Sequence, residues 1–266
     1  MEYIEKLITY FTDLGVSRGV AIAYLIVTAL IAVMAVVALV MRIVVVIKYY
    51  KGNHMKTKSG KTSFEVAREA LDKAGLQHVQ VKKANIFRAF FFGNCYSITK
   101  KTIFLRRSIA KKDSITAVGL ALQKVGVAKM CEEGDFKART RSVMSILNVF
   151  APVLFIPVVA LGVVIDILLL GTLGIASIIS LAVGGFLVLT GFIVTLLNIP
   201  VERNANKMAL KVIDETKVLD EEEREVVVKV FEAYMIAYVC EFILAVLRIV
   251  QYVLEIVMKV QINNKN

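Results

Sequence analysis

The sequence predicts a mainly α-helical integral membrane protein, with four transmembrane helices and a cytoplasmic lobe of mixed α and β structure. Three observations carry this expectation. Mean hydropathy is +0.70 and 58% of the 266 residues are apolar, well beyond a soluble domain. Residues 19–41 contain no charge, and between Arg141 and Glu202 the only charge is Asp166; both runs exceed the roughly 20 residues that cross a bilayer core. Between them, residues 48–141 are polar and carry 21 Lys and Arg against 7 Asp and Glu, a balance of +14.

The elements follow in order. Glu2, Glu5 and Asp13 with only two basic residues precede a first apolar run too long for a cleaved signal peptide. Residues 1–47 are therefore expected to be a retained N-terminal anchor, with Arg42 near the end of its span snorkelling to the headgroups. Residues 48–142 form the lobe. Lys48, Lys51, Lys56, Lys58 and Lys61 at one edge, and Lys137, Arg139 and Arg141 at the other, place it in the cytoplasm by the positive-inside rule and both termini on the opposite side. Thr62-Ser63-Phe64-Glu65 has capping-box spacing, and Phe64, Ala67, Leu71 and Ala74 repeat at helical intervals until Gly75. Val79 and Val81 alternate with polar neighbours, while residues 94–98 and 102–105 bracket the turn Thr99-Lys100-Lys101, predicting short strands and a hairpin. Ser114 can cap a second helix spanning residues 117–130. Phe87, Phe90, Phe91 and Phe92 are expected to pack beneath the helices, with a sheet edge resting on the membrane as the alternative.

Residues 143–199 predict a transmembrane hairpin with arms at 143–165 and 175–198. Pro152 and Pro157 are expected to kink the first arm, and Gly184, Gly185 and Gly191 to allow close packing of the second. Asp166 is expected in a solvated turn at the outer tip. Residues 200–230 form a cytoplasmic helical segment in which Asp220 and the acidic run Glu221-Glu222-Glu223 begin a long helix. That helix continues as the last span in the C-terminal segment 231–266. Glu241, Arg248 and Glu255, spaced by seven, share a face with Gln251 nearby; the expectation is a polar stripe paired with other spans, and an ion or proton pathway is the alternative. Basic excess in such a chain reports topology or anionic lipid, and no nucleic-acid motif accompanies it. Cys95, Cys131 and Cys240 are odd in number and lack metal-type spacing, which disfavours a disulfide framework or a Cys-type zinc site.

One span, a lobe, a hairpin, a Pro-Val-Glu segment and a final span, in that order, resemble the YugP-like neutral zinc metallopeptidases of bacterial membranes. The likeness covers residues 61–248 and rests on three segments. Ala117-Val118-Gly119-Leu120-Ala121-Leu122-Gln123-Lys124-Val125-Gly126-Val127-Ala128 is similar to that family's helix ending H-E-V-G-H-A. Asn94-Cys95-Tyr96-Ser97-Ile98 with Thr99-Lys100-Lys101-Thr102-Ile103 resembles D-H-Y-D-P with R-T-K-T-V. Pro200-Val201-Glu202-Arg203-Asn204-Ala205 resembles P-V-E-F-D-A, whose Glu the resemblance implies as third zinc ligand.

The departures shape the functional expectation. In H-E-x-x-H, two imidazoles bind zinc and the Glu is general base on the zinc-bound water. Gln123 and Val127 stand at the ligand positions, Lys124 replaces the base with a cation, Glu202 remains, and Asn204 replaces a supporting Asp. The zincin-type helix is thus degenerate. His54 and His78, the only histidines, belong to no metal-type spacing, and Cys95 stands where the family has His without an identifiable partner base. The expectation is a catalytically inactive, cofactor-free membrane pseudopeptidase that works by binding. Its partners are the lipid bilayer and a further molecule, an active paralogue or a membrane protein client, but no nucleic acid. The candidate cleft comprises Gln123, Lys124, Glu202 and Asn204, with a Lys124–Glu202 ion pair in place of the metal. The alternatives are a divergent active metallopeptidase dependent on Glu202, a transporter using Glu241, Arg248 and Glu255, and a scaffold whose former cleft is filled by side chains.

Overall fold

A long apolar run can satisfy its backbone groups within itself only as a helix, and helices dominate the described residues. A computed structural model describes residues 2–170 and 175–265, without the side chains of residues 2, 145–148, 151–153, 155, 156, 170, 188 and 263–265. The elements are α1 (Glu2–Asp13), α2 (Arg18–His54), α3 (Ser63–Lys73), β1 (Gln80–Lys83), α4 (Ile86–Phe91), β2 (Cys95–Ser97), β3 (Thr102–Leu105), α5 (Arg107–Ala110), α6 (Ile115–Glu132), α7 (Phe136–Leu170), α8 (Ile175–Thr216) and α9 (Glu221–Lys265). Of these, α2, α8 and α9 are long and apolar enough to cross a membrane. The fourth expected span falls within α7, across side chains outside the described residues; so do Pro152 and the hairpin turn at residues 171–174.

The chain divides into two compact units, Met1–Val44 with Ile236–Asn266, and Val45–Met235. In the first unit, α2 and α9 run antiparallel. Four polar rungs join their two ends: Ser17 N–H to Gln261 Oε1 at 2.9 Å, Tyr24 O–H to Glu255 at 3.4 Å, Gln251 Nε2 to Thr28 Oγ1 at 3.3 Å, and Arg42 Nη2 to Glu241 at 3.1 Å. Arg42, expected to anchor in headgroups, is thus engaged within the chain, because α9 offers a carboxylate at its level. The stripe pairs with α2 through Glu241, Gln251 and Glu255, while Arg248 is exposed. Helix α1 was not legible as an element; it packs Phe11 edge-on to Tyr24 at 5.9 Å and ties Glu5 to Arg18 at 2.8 Å.

The second unit holds the core. Thr62 and Glu65 form the expected capping box of α3, and Gly75, at φ +74, ends it in the left-handed region. The expected hairpin forms from β2 and β3, antiparallel, with Lys101 at φ +45 in the turn. Strand β1 pairs in parallel with β3, giving the order β1-β3-β2. Helix α3, this sheet and the C-terminal half of α8 enclose α6, whose Leu122, Val125 and Val127 are buried with Leu71, Ile103 and Ile213. Burying each such side chain contributes about 1.5–3 kcal/mol. Asp220 and Glu223 cap α9 reciprocally at 2.9 Å, and Glu223 also accepts the Lys58 N–H at 2.7 Å.

Three expectations need correction. Asp166 is 3% exposed rather than solvated, and accepts the N–H groups of Ala176 and Ser177 at 3.1 and 2.6 Å; the free donors at the start of α8 draw it in. A Cβ at Gly185 would meet nothing within 4 Å, whereas one at Gly162 would lie 2.0 Å from Ser180 Oγ, so Gly162 of α7 brings the hairpin arms together where Gly185 does not. The Phe-rich stretch is neither a sheet edge nor buried core. Asn85 accepts the Arg88 N–H and starts the short helix α4, which leaves Ile86, Phe87 and Phe90 exposed while Phe91 stacks on Phe150 at 5.6 Å.

Candidate functional site

Helix α6 reaches its partners because small residues line it. Ser114 accepts the Ala117 N–H and caps it. A Cβ on Gly119 would lie 2.8 Å from Val227 Cγ1, and one on Gly126 would lie 2.7 Å from the Ala205 carbonyl oxygen. The bare Gly126 lets α6 approach the α8 backbone itself, and this closeness sets the side chains of Gln123 and Lys124 against Glu202 and Asn206.

Glu202 is the centre of the site. It is 1% exposed, and its Oε1 accepts from Lys124 Nζ at 3.4 Å and from Arg141 Nη2. The expected Lys124–Glu202 pair is therefore present, within the approximately 6 Å that a close ionic contact allows. Arg141, near the start of α7, also donates through Nε to Asn198 Oδ1 at 2.9 Å. This contact lies beside Pro200, inside α8, whose ring nitrogen cannot donate to the helix ladder. Gln123, 4% exposed, donates to Asn206 Oδ1 at 2.6 Å. Val127 is buried in the core. Glu202 Oε2 is buried without a hydrogen-bond partner among the described residues.

Charge distribution explains the titration of this cluster. Burial alone would raise the Glu202 carboxyl, but the cations of Lys124 and Arg141 outweigh it and hold the group below its ordinary range. Lys124 is pulled down by burial, and the attraction of Glu202 is offset by repulsion from Arg141. One buried carboxylate thus serves two cations. Cys95, on β2, is pushed up by burial against the opposing charges of Arg88, Lys124 and Arg141; a thiol kept protonated is a poor nucleophile.

These residues do not fit a catalytic zinc. A neutral amide is a poor ligand and an isopropyl group is none, and Lys124 carries a positive charge to the carboxylate that a metal would need. Among the described residues, no three His, Cys, Asp or Glu side chains lie together. His54 Nδ1 lies 2.7 Å from the Tyr50 carbonyl oxygen, and His78 Nε2 lies 3.1 Å from Glu132. Glu132 has its own cluster, accepting both oxygens' worth of contact from Lys101 at 2.6 Å and a hydrogen bond from Tyr96. Burial raises its carboxyl, but Lys101, Tyr96 and His78 outweigh that and hold it at about 2.

The structure brings Gln123, Lys124 and Glu202 together and leaves Asn204 exposed outside them. Asn206 takes the place beside Gln123. A helical reading of the segment offered a signal, since residues 202 and 206 are four apart and share a face while 204 points away. Arg141 was legible only as a charge flanking the membrane; nothing local in the sequence marks it as the second cation on Glu202.

Residues 26–257 match the family model described as "putative neutral zinc metallopeptidase". No curated protein and no solved structure matches the chain.

Proposed function

This chain belongs to the neutral zinc metallopeptidase family, and we propose that it is a catalytically inactive member that works by binding rather than hydrolysis. The observation that carries this reading is the pairing of the buried Glu202 carboxylate with two cations. Lys124 and Arg141 occupy the coordinating oxygen of Glu202, and Gln123 is turned to Asn206. A hydrolytic water there would meet two cations, Lys124 and Arg141, on the carboxylate that would otherwise take its proton.

The protein sits in the cell membrane as a multi-pass chain, with residues 48–142 and 200–230 in the cytoplasm and both termini outside; the balance of +14 over residues 48–141 supports that orientation. Its partner is an active paralogue or a membrane protein client. Because Gln123, Lys124 and Glu202 are buried, a ligand at the former cleft would have to displace their packing, which favours contacts made by the outer surfaces.

Zinc analysis of purified protein, with peptide hydrolysis measured alongside, tests the reading. No stoichiometric zinc and no hydrolysis are expected. Zinc removed by a chelator together with an activity would overturn the proposal in favour of a divergent active enzyme. In a gain-of-site variant, Gln123→His, Lys124→Glu and Val127→His together are expected to restore zinc binding, and Arg141→Leu added to them to tighten it by freeing Glu202. Asn204→Asp is expected to add nothing, because its side chain lies outside the cluster.

A further inference from the structure

Arg248 is a charge without a counterion among the described residues, in the middle of a span. It lies on α9 between two rungs to α2, Arg42–Glu241 on one side and Thr28–Gln251 on the other. The α2 segment between Thr28 and Arg42 contains no charged residue. Glu241 and Glu255 are each two helical turns away, about 10 Å along the axis, which sets Arg248 near mid-bilayer depth.

The carboxylates of the apolar spans are already engaged. Glu241 accepts from Arg42, Glu255 from Tyr24, and Asp166, the single charge between Arg141 and Glu202, caps the start of α8. Arg248 is exposed and makes no hydrogen bond or ion pair among the described residues. Beside it, Ile249, Tyr252, Val253 and Ile256 are exposed too, so the charge is set in an apolar surface. An arginine at this depth requires an anionic partner or a long reach to water. The way towards the cytoplasmic headgroups passes the Arg42–Glu241 rung, which already holds a cation.

We infer that the face of α9 centred on Arg248 docks a transmembrane helix that presents a carboxylate at mid-bilayer depth. The guanidinium supplies a two-pronged donor to that carboxylate, and the surrounding Ile, Val and Tyr side chains pack the partner helix by shape. A second copy of this chain in parallel orientation fits poorly, since it would set Arg248 level with its own equivalent. The inference concerns the partner of the binding function but not the chemistry at α6, so zinc binding or its absence leaves it untouched.

The test uses the full chain, fluorescently tagged at its C-terminus and reconstituted in phosphatidylcholine vesicles at neutral pH. Acceptor-labelled synthetic Leu/Ala helices of about 20 residues, with Glu, Gln or Leu at the centre, are titrated against it by energy transfer. The Glu helix is expected to associate about tenfold more tightly than the other two. That preference should vanish in Arg248→Leu, persist in Arg248→Lys, and vanish when the Glu is moved to the end of the peptide. Equal association of the three peptides, or a Glu preference that survives Arg248→Leu, overturns the inference. Loss of the preference on adding phosphatidylserine overturns it in favour of a lipid headgroup. Self-association of the chain that depends on Arg248, without a peptide preference, overturns it in favour of a second copy.

Discussion

The α6–α8 contact and the α2–α9 pair both take charged groups out of water, and they solve the problem in opposite ways. At α6–α8, Gly126 brings two backbones together and a single carboxylate is enclosed with two cations inside a packed core. Between α2 and α9, the groups meet as separate rungs, at 2.9–3.4 Å, among side chains most of which are half-buried. The first arrangement is closed and each member depends on the others. The second is modular, and one member, Arg248, has no partner among the described residues. Charge enclosed by packing makes a site rigid and structural, whereas charge left on an apolar face makes it an interface.

The sharpest way to break this comparison is to remove the shared carboxylate. Glu202→Gln leaves the buried Lys124 and the half-buried Arg141 without their anion and is expected to destabilise the protein by about 3 kcal/mol, seen as a large drop in thermal stability in detergent by circular dichroism. Lys124→Met, by contrast, leaves Arg141 on Glu202 and is expected to stay within about 1 kcal/mol of the parent. Similar losses for the two variants would refute the idea that one anion serves two cations.

Acid sensitivity should come next. Glu132 is held at about 2 against an ordinary 4.5, so its folded-state pKa is depressed. Its contribution is then fully present above pH about 4.5 and is lost as pH falls towards 2. Half-exposed Lys101 and His78 admit solvent screening, which reduces the expected effect to about 2 kcal/mol. Melting temperature measured across that window should fall less steeply in Glu132→Gln; an unchanged slope would remove Glu132 as the cause.

Glycine substitutions measure the closeness itself. Gly126→Ala places a methyl against the Ala205 carbonyl oxygen and is expected to cost about 1–3 kcal/mol, while Gly185→Ala meets open space and should be neutral or slightly stabilising through helix propensity. The smallest effect is expected in the rungs. Gln251→Leu breaks the contact to Thr28 at a cost of about 0.6 kcal/mol, measured as a shift in detergent unfolding; a loss as large as that of Glu202→Gln would mean that the pair is cooperative rather than modular.

Much of the lobe was legible because its signals are local. Thr62 with Glu65, Ser114 before α6, and Asp220 with Glu223 are caps whose partners lie within a few residues, and β2–β3 closes over a short turn. The resemblance around Gln123 and Glu202 located the two sides of the site. Asp166 and the Phe-rich stretch went wrong for one common reason: Asp166 answers donors on α8, ten residues or more away, and Phe91 finds Phe150 on another element. A local reading ranks such residues by polarity alone.

By itself the sequence determined that this chain carries runs long and apolar enough to cross a membrane, that residues 48–141 are basic, and that an amide and an isopropyl group stand at positions 123 and 127. These follow from composition, run length and ligand chemistry, which need no partner in space. Only the tertiary structure decided that Arg141 joins Lys124 on Glu202, that Asn206 rather than Asn204 faces Gln123, and that Arg248 alone among the members of its stripe has no partner among the described residues. The reason is physical: whether a buried charge is tolerated depends on which opposite charge is brought within a few ångströms, and that is set by how closely two helices approach.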